Sequence, residues 1–579
     1  MKRNYIGLAT SIHDGAIAIV NSKGEIVFAE ATERYLQNKR AFNMSPDQLF
    51  YISKLIKTYI EPGAELVVAH TWSDTRIGKL AKLLEELNKI EFEKLPFFWR
   101  RIIAGVKYSL ESHINTLQQA SKTLTYTINQ MEEYKESGNF LVKKYDHHLT
   151  HAATACFTSP FHEACCVVVD GYGEGSAFNC YRYQDGKIEQ LPGVKDGDGS
   201  LGSFYSAVCD TCGFEELLGE EWKVMGLAAY GKFDQQIYDL LKSYIKVDGL
   251  SLKECSPDWK ASLFEKLYSM RRKPGEPAIV AADIAYNGQL VYTELLYEFL
   301  RNVYQLNISD NLVMSGGCCL NSAANGTITE KTGFKNLYVF SAPADDGNAI
   351  GAALLAYYED HPDERRAPGF QSPYLGSELS QYKIEHLQRF GNFKKIKRYP
   401  DDIHYQAAKL LADGKIIGWV QGKAEFGPRA LGNRSILADP RSPAIKDIIN
   451  ERVKFREEFR PLAPSILHEF GPEYFENYQE TPYMERALQF KKEVKHKVPG
   501  VVHEDGTGRL QTVKKEWNER YYNLIKAFYE LTSIPLVLNT SYNVMGKPII
   551  HSVEDAIAVF CTSGLDAVVL GDLLIEKEE

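Results

Sequence analysis

The sequence predicts an α/β protein built as two units, and three observations predict it. Short apolar runs separated by glycine turns open the chain at Tyr5–Ala9, Ala16–Val20 and Ile26–Glu30. Two later apolar runs, Cys165–Val169 and Asn311–Met314, end in the glycine turns Asp170-Gly171-Tyr172-Gly173 and Ser315-Gly316-Gly317. Past residue 400 the pattern starts afresh, with a helical run over Ala407–Gly418 leading into a strand at Ile416–Val420.

Composition narrows the class. The 579 residues suit about three or four domain-sized units. With 44% hydrophobic and 25% charged residues, they argue against disorder. Sixty-seven Lys and Arg stand against 76 Asp and Glu, a net charge of −9. A protein that coats a phosphate backbone carries a basic surplus, so no nucleic-acid partner is expected, while local basic pockets for small phosphorylated ligands stay open. No run of 18 apolar residues occurs, so no membrane span is expected. His13 and Asp14 interrupt any secretory core at the start. Ten cysteines with one CxxC, Cys209 and Cys212, read as reduced thiols and a cytoplasmic location.

In chain order, the opening strand–turn–strand–turn–strand recurs in ATP-binding domains of the actin, Hsp70 and sugar-kinase class. Thr75 to Lys135 is helical, with few glycines and many Leu, Lys and Glu, and reads as a cap packed on its own domain. The segment from His361 to Lys397 has no strong period and reads as the crossing between units. The expected division is 1–360, with a helical insertion at about 75–140, then a linker 361–397 and a second α/β unit 398–579. The sequence shows no internal repeat.

Two sets of residues carry chemistry. On a helix, His147 and His151 share a face, which suits either a metal or simple packing. Asp170 and Asp345 stand at strand-to-helix junctions, where carboxylates face ligand clefts. Two His with one or two Asp suit iron, zinc or manganese. In the doublet Asp345-Asp346 the register of Gly347 and Gly351 favours Asp345. Gly171, Gly173, Gly316 and Gly317 let a backbone approach a phosphate, although ordinary turns explain them equally. Glu221 and Lys223 read as a ligand pair or as a surface ion pair. The second set lies past residue 420, with Arg429 and Arg434, Lys454 and Arg460, Arg509, then Asn539 and Ser541. Cations set among glycines and prolines suggest an anion pocket built from loops.

The ordered motifs resemble a known family. His13-Asp14-Gly15, His147-x-x-x-His151, Asp170-Gly-x-Gly-Glu and Glu221-x-Lys223-x-Met-Gly-Leu occur in the order found in O-carbamoyltransferases of the NodU/CmcH type. Ser315-Gly-Gly with Asn321, Asp345-x-Gly, Phe-Gly-Pro-Arg429-Ala-Leu-Gly-Asn-Arg434, Phe459-Arg460-Pro and Leu-Asn539-Thr-Ser541 continue the series. The resemblance implies an actin-like, Kae1-like first unit and a YrdC-like second unit. It implies ATP with Mg and carbamoyl phosphate as donors, carbamoyl adenylate as the shared intermediate, and a hydroxylated small molecule as acceptor.

By motif, Arg429, Arg434, Lys454, Arg460, Arg509, Asn539 and Ser541 would bind carbamoyl phosphate and ATP. Gly171, Gly173, Glu221, Lys223, Gly316, Gly317 and Asn321 would serve cofactor binding in the first unit. His147, His151, Asp170 and Asp345 would hold the metal, with iron placed first. His13 would act at the transferring carbamoyl, as a base or by orienting it. The helical region is extra to the family pattern and stands where it could line the acceptor entrance. Two separate pockets are expected, and a homodimer is left open. The alternatives are a carbamoyl- or threonylcarbamoyl-dependent modifier of tRNA or protein, and a non-catalytic actin-like scaffold.

Overall fold

The computed structural model describes residues 2–131, 140–192, 194, 199–364 and 369–578. Positions 132–139 of the expected helical insertion and 365–368 of the expected crossing lie outside the described residues.

The first sheet holds β1 (Arg3–Ala9), β2 (Ala16–Val20), β3 (Ile26–Ala31), β4 (Glu65–His70) and β5 (Leu141–Lys144), in the order β3-β2-β1-β4-β5. β1 is antiparallel to β2 and parallel to β4. Both faces are buried, and the two-residue period divides them. Tyr5 and Ala9 join one core with Ala152 and Ala353, while Ile6 and Leu8 join another with Ile52 and Leu55. Gly7 is required where β1 meets the helix Asn348–Asp360, because a Cβ there would lie 1.8 Å from the Ala349 carbonyl oxygen.

The chain continues through β6 (Glu163–Val169), β7 (Phe178–Gln184), β8 (Lys187–Gln190), the pair β9 (Ile245–Asp248) and β10 (Ser251–Glu254), β11 (Asn311–Ser315) and β12 (Asn336–Val339). The second sheet has the order β12-β11-β6-β7-β8. Read from the other edge this is the arrangement of the first sheet: two hairpin strands, a central strand, then two parallel partners. The fold is thus duplicated although the sequence shows no repeat, since many apolar residue sets satisfy one alternation. The helices His147–Thr158 and Asn348–Asp360, which follow the last strand of each copy, share one core. This is the actin-like architecture. Between β4 and β5 stand the inserted helices Thr75–Asn88, Phe97–Gln119 and Lys122–Gln130, whereas the matching slot after β11 holds only short helical turns.

The second unit is a mixed sheet of β13 (Ile396–Arg398), β14 (Ile417–Val420), β15 (Arg434–Ala438), β16 (Ala463–Leu467), β17 (Arg486–Gln489), β18 (Thr507–Val513), β19 (Leu536–Ser541), β20 (Ala567–Leu570) and β21 (Leu573–Glu576). Its order is β13-β21-β20-β14-β15-β19-β16-β18-β17. The crossing differs from expectation. It carries the helix Gln381–Phe390, capped by the Ser380 hydroxyl, and β13 is an edge strand of this sheet. Before that helix the chain stitches the units together. Ala29 N donates to the Leu375 carbonyl (3.0 Å), Gly376 N to Ala424 (2.9 Å), and Phe426 N to Pro373 (2.7 Å). Among the described residues no helix is long and apolar enough to cross a membrane.

Candidate active site

Asp146 caps the helix His147–Thr158 by accepting from Leu149 N at 3.0 Å. That start sets His147 and His151 one turn apart, facing Asp170 at the end of β6 and Asp345 in the turn before Asn348–Asp360. His147 Nε2 lies 3.5 Å from both Asp170 Oδ2 and Asp345 Oδ1, and His151 Nε2 lies 3.8 and 3.4 Å from the same atoms. Two atoms each about 2.1 Å from a tetrahedral ion stand about 3.4 Å apart, so the set fits one metal ion. Both Nε2 atoms are buried without a hydrogen-bond partner among the described residues, as free ligand atoms should be. Supporting contacts fix two ligands: His151 Nδ1 is 3.1 Å from Ser315 Oγ, and Gly317 N donates to Asp170 Oδ1 at 3.0 Å.

The two carboxylates favour positive charge between them. Burial disfavours an imidazolium at His147, but Asp345 and Asp170 outweigh it and push its pKa up to about 10. Burial would raise the Asp345 carboxyl, yet the two imidazoles hold it well below the usual range. Asp346 behaves oppositely: burial, then Asp14 and Glu33, push it up to about 8. Of the doublet it is Asp345 that lies within reach of the two imidazoles and Asp170.

The remaining residues of the first unit divide. Gly171, Gly317, Glu221, Lys223 and Asn321 line the cavity described below. Gly316, with φ 103°, and Gly173 serve packing, since added Cβ atoms would meet Val169 O at 2.1 Å and His148 Nε2 at 2.5 Å. Lys223 is no surface residue. It is buried between Glu220 (2.6 Å) and Glu457 of the second unit (2.7 Å). Glu221 accepts from Ser206 Oγ at 3.1 Å, and Asn321 caps a helical turn through Ala324 N at 3.1 Å. His13 lines the cavity with Nδ1 2.8 Å from Asp14 Oδ2, and Arg40 holds Asp14 at 3.1 Å. Cys209 and Cys212 are buried free thiols.

In the second unit Glu425 accepts from the N–H groups of Leu431, Asn433 and Arg434 at 2.6, 3.1 and 3.2 Å, folding the loop that carries Arg429. A wide π-type turn, Ile449–Lys454, delivers Lys454, whose Nζ donates to Ser541 O (2.6 Å), Ser541 Oγ (3.1 Å) and Asn543 O (2.9 Å). Arg460 stacks over Trp222 of the first unit at 3.8 Å. Asn539 is tied to Ser465 Oγ and Gln511 Oε1, both at 3.0 Å. Sequence reasoning passed over Arg456, which lines the same cavity; its place one residue past Phe455, at φ 50°, is a tertiary fact. Arg434 is not brought to the cavity. Its terminal nitrogens are spent on the carbonyls of Gln421, Asn433, Ser377 and Gly422 at 2.5–3.0 Å, so it braces the fold.

These cations are mutually repelling. Burial, then Arg456, Arg460 and Lys39, hold Lys454 well below its ordinary pKa. Burial, then Arg429, Arg456 and Arg460, do the same to Arg509. Buried like charges are costly unless an anion joins them. The two sets are not in separate pockets as expected. One cavity of about 1720 Å³ runs between the units, reaching Asp170 and Asp345 in the first and Arg429, Lys454, Arg460 and Arg509 in the second.

Fold and site together define a two-unit α/β enzyme in which an actin-like half brings two histidines and two aspartates close enough to hold one ion, and a second half gathers a cluster of cations on the same cavity. The chain belongs to the carbamoyltransferase family: residues 4–354 match the carbamoyltransferase N-terminus and residues 408–577 the carbamoyltransferase C-terminus. It is an enzyme of carbamoyl transfer. It is 31% identical to an uncharacterized protein of Methanocaldococcus jannaschii, with 99% of each chain covered. It is 35% identical to nodulation protein NolO of Bradyrhizobium diazoefficiens over 75% of this chain and 79% of that one. It is 36% identical to nodulation protein NolNO of Sinorhizobium fredii over 74% of this chain and 63% of that one.

Proposed function

We propose that the protein is an ATP-dependent O-carbamoyltransferase that makes carbamoyl adenylate at the cationic end of the cavity and transfers its carbamoyl group to an alcohol at the metal end. The observation that carries this reading is the set of crowded, mutually repelling cations, Lys454 buried among half-buried arginines, opening into the same cavity as the two carboxylates Asp170 and Asp345. A non-catalytic scaffold would bear the cost of both sets with no return.

The YrdC-like second unit takes the first step. Carbamoyl phosphate loses its phosphoryl group to water as inorganic phosphate. The carbamate oxygen then attacks Pα of ATP with Mg, and pyrophosphate leaves. Arg429, Lys454, Arg456, Arg460 and Arg509 hold the phosphates and offset charge as it redistributes.

In the first unit the acceptor's oxygen bonds to the carbamoyl carbon. The bond from that carbon to the AMP oxygen breaks, and AMP leaves with the electron pair. His13, with Nδ1 turned to Asp14, keeps Nε2 for the hydroxyl proton. His147, His151, Asp170 and Asp345 would hold one transition metal, iron first and zinc or manganese as alternatives, and its Lewis acidity lowers the cost of negative charge on the carbamoyl oxygen.

The test is pyrophosphate release from ATP on adding carbamoyl phosphate. Release that needs carbamoyl phosphate and is lost in Arg509→Gln supports the reading; no release sinks it.

A further inference from the structure

The cavity is larger than its donor requires. At about 1720 Å³ it exceeds the roughly 300–1,000 Å³ of a pocket for one small ligand. Beyond Asp14 and Arg40 its lining includes a recess formed with the inserted helix Phe97–Gln119. Trp99, Ile102 and Val106 line it from that helix at spacings of three and four, on one face. Leu217 and Leu218, from a tight turn, and Tyr268, from the helix Pro257–Met270, line the same cavity. Four of these side chains remain open: Leu218 is 54% exposed, Leu217 50%, Val106 42% and Tyr268 41%. They line a recess, where an apolar surface facing water is affinity that a ligand can recover.

Three cations at the recess are committed to carboxylates, which argues against a second phosphate pocket. Arg101 and Arg271 both bind Asp210, at 2.9 and 3.1 Å, and Lys260 is paired with Glu254. Arg40 spans the recess and the transfer site, with one nitrogen on Asp14 and another on the Leu217 carbonyl, each at 3.1 Å. Asp14 is the partner of His13. A ligand lying against Leu217 is therefore one arginine away from the proposed base.

We propose that the acceptor is an alcohol with an extended apolar body, which lies between the inserted helix and the 217–218 turn while its hydroxyl reaches the transfer site. This rests on the carbamoyl-transfer reading for the hydroxyl and on the recess alone for the apolar body. The bond changes are those of the transfer step given above; the recess adds no chemistry, only position.

The experiment uses the full chain and two readouts. The first is binding of the neutral fluorophore N-phenylnaphthylamine, competed by hexyl, octyl and decyl glucosides below micelle formation. Each methylene fully buried should tighten competition roughly fourfold. Leu217→Asp and Val106→Asp should each weaken it at least about tenfold, while Phe50→Asp, at an exposed position outside the cavity lining, should not. No binding, competition flat with chain length, or stronger competition by a polycationic aminocyclitol would each overturn the proposal. The second readout is carbamoyl-phosphate-dependent pyrophosphate release on the same preparations. Release with failed alkyl competition rejects the apolar acceptor and leaves the carbamoyl reading standing. Alkyl competition without release keeps the recess as an apolar ligand site and rejects the reading beneath it.

Discussion

Trp72 lies stacked on His147, with ring centroids 3.9 Å apart and 12° between the planes. Metal-ligating histidines are usually oriented by a hydrogen bond from the second ring nitrogen. His151 has Ser315 for this, whereas His147 Nδ1 has no such partner among the described residues. The indole holds the ring instead, and the insertion holds the indole: His113 meets its edge at 4.7 Å and Arg76 lies over it at 4.8 Å. Removing this support should loosen the metal. Trp72→Ala is expected to weaken metal affinity about 10–100-fold, the usual cost of losing an outer support. Trp72→Phe should retain most of it. Equilibrium metal titration, read apart from turnover, decides.

The aspartate doublet gives a sharper contrast. Asp345→Asn removes one of four ligand atoms and should abolish stoichiometric metal. Asp346→Asn replaces a carboxyl already pushed up to about 8, so its metal content should match the parent. Elemental analysis of the two purified variants reverses the assignment if the losses are reversed.

Arg509 should show opposite effects on stability and activity. Crowding by three other arginines makes it a cost to the ligand-free protein. Arg509→Met should therefore raise the ligand-free Tm while removing most of the stabilising shift given by ATP with carbamoyl phosphate. Pyrophosphate release should fall about 10²–10³-fold. A lower Tm in calorimetry would show that the guanidinium is structural.

The junction between units should weaken in acid. Glu30 of β3 is buried against His551 of the second unit (3.4 Å), and accepts from Ser377 N at 3.0 Å. Burial would raise its pKa, but His551, Tyr51 and Ser377 prevail and bring it to about 2. A depressed carboxylate stabilises the fold above its unfolded pKa of about 4.3, and that contribution is lost as pH falls towards 2. The contribution is of order 3 kcal/mol. Urea unfolding between pH 5 and 2 should lose stability more steeply in the parent than in Glu30→Gln.

Much of this was legible in the sequence, and where it failed the reasons are physical. β1 to β3 follow from alternation broken by glycine turns, and His147 with His151 from the helical repeat, because both signals are local. The actin-like duplication left no such trace. The helix Gln381–Phe390 was missed because it is short and mostly polar, with Ile384 its one buried residue. Arg429 and Arg434 stand in one motif, yet one enters the cavity and the other clamps carbonyls. Only the path of the loop around Glu425 separates them. Lys223 with Glu457, and Trp222 with Arg460, lie more than 200 residues apart in sequence, and no local pattern signals such meetings.

The single chamber has a kinetic meaning. Under the proposed chemistry a mixed anhydride that water destroys need not leave the cavity between the two steps, so its survival depends on that short path as well as on its own half-life. Separately expressed halves, mixed in a tube, would have to ferry that fragile cargo across open water, and should deliver far less of it than the intact chain.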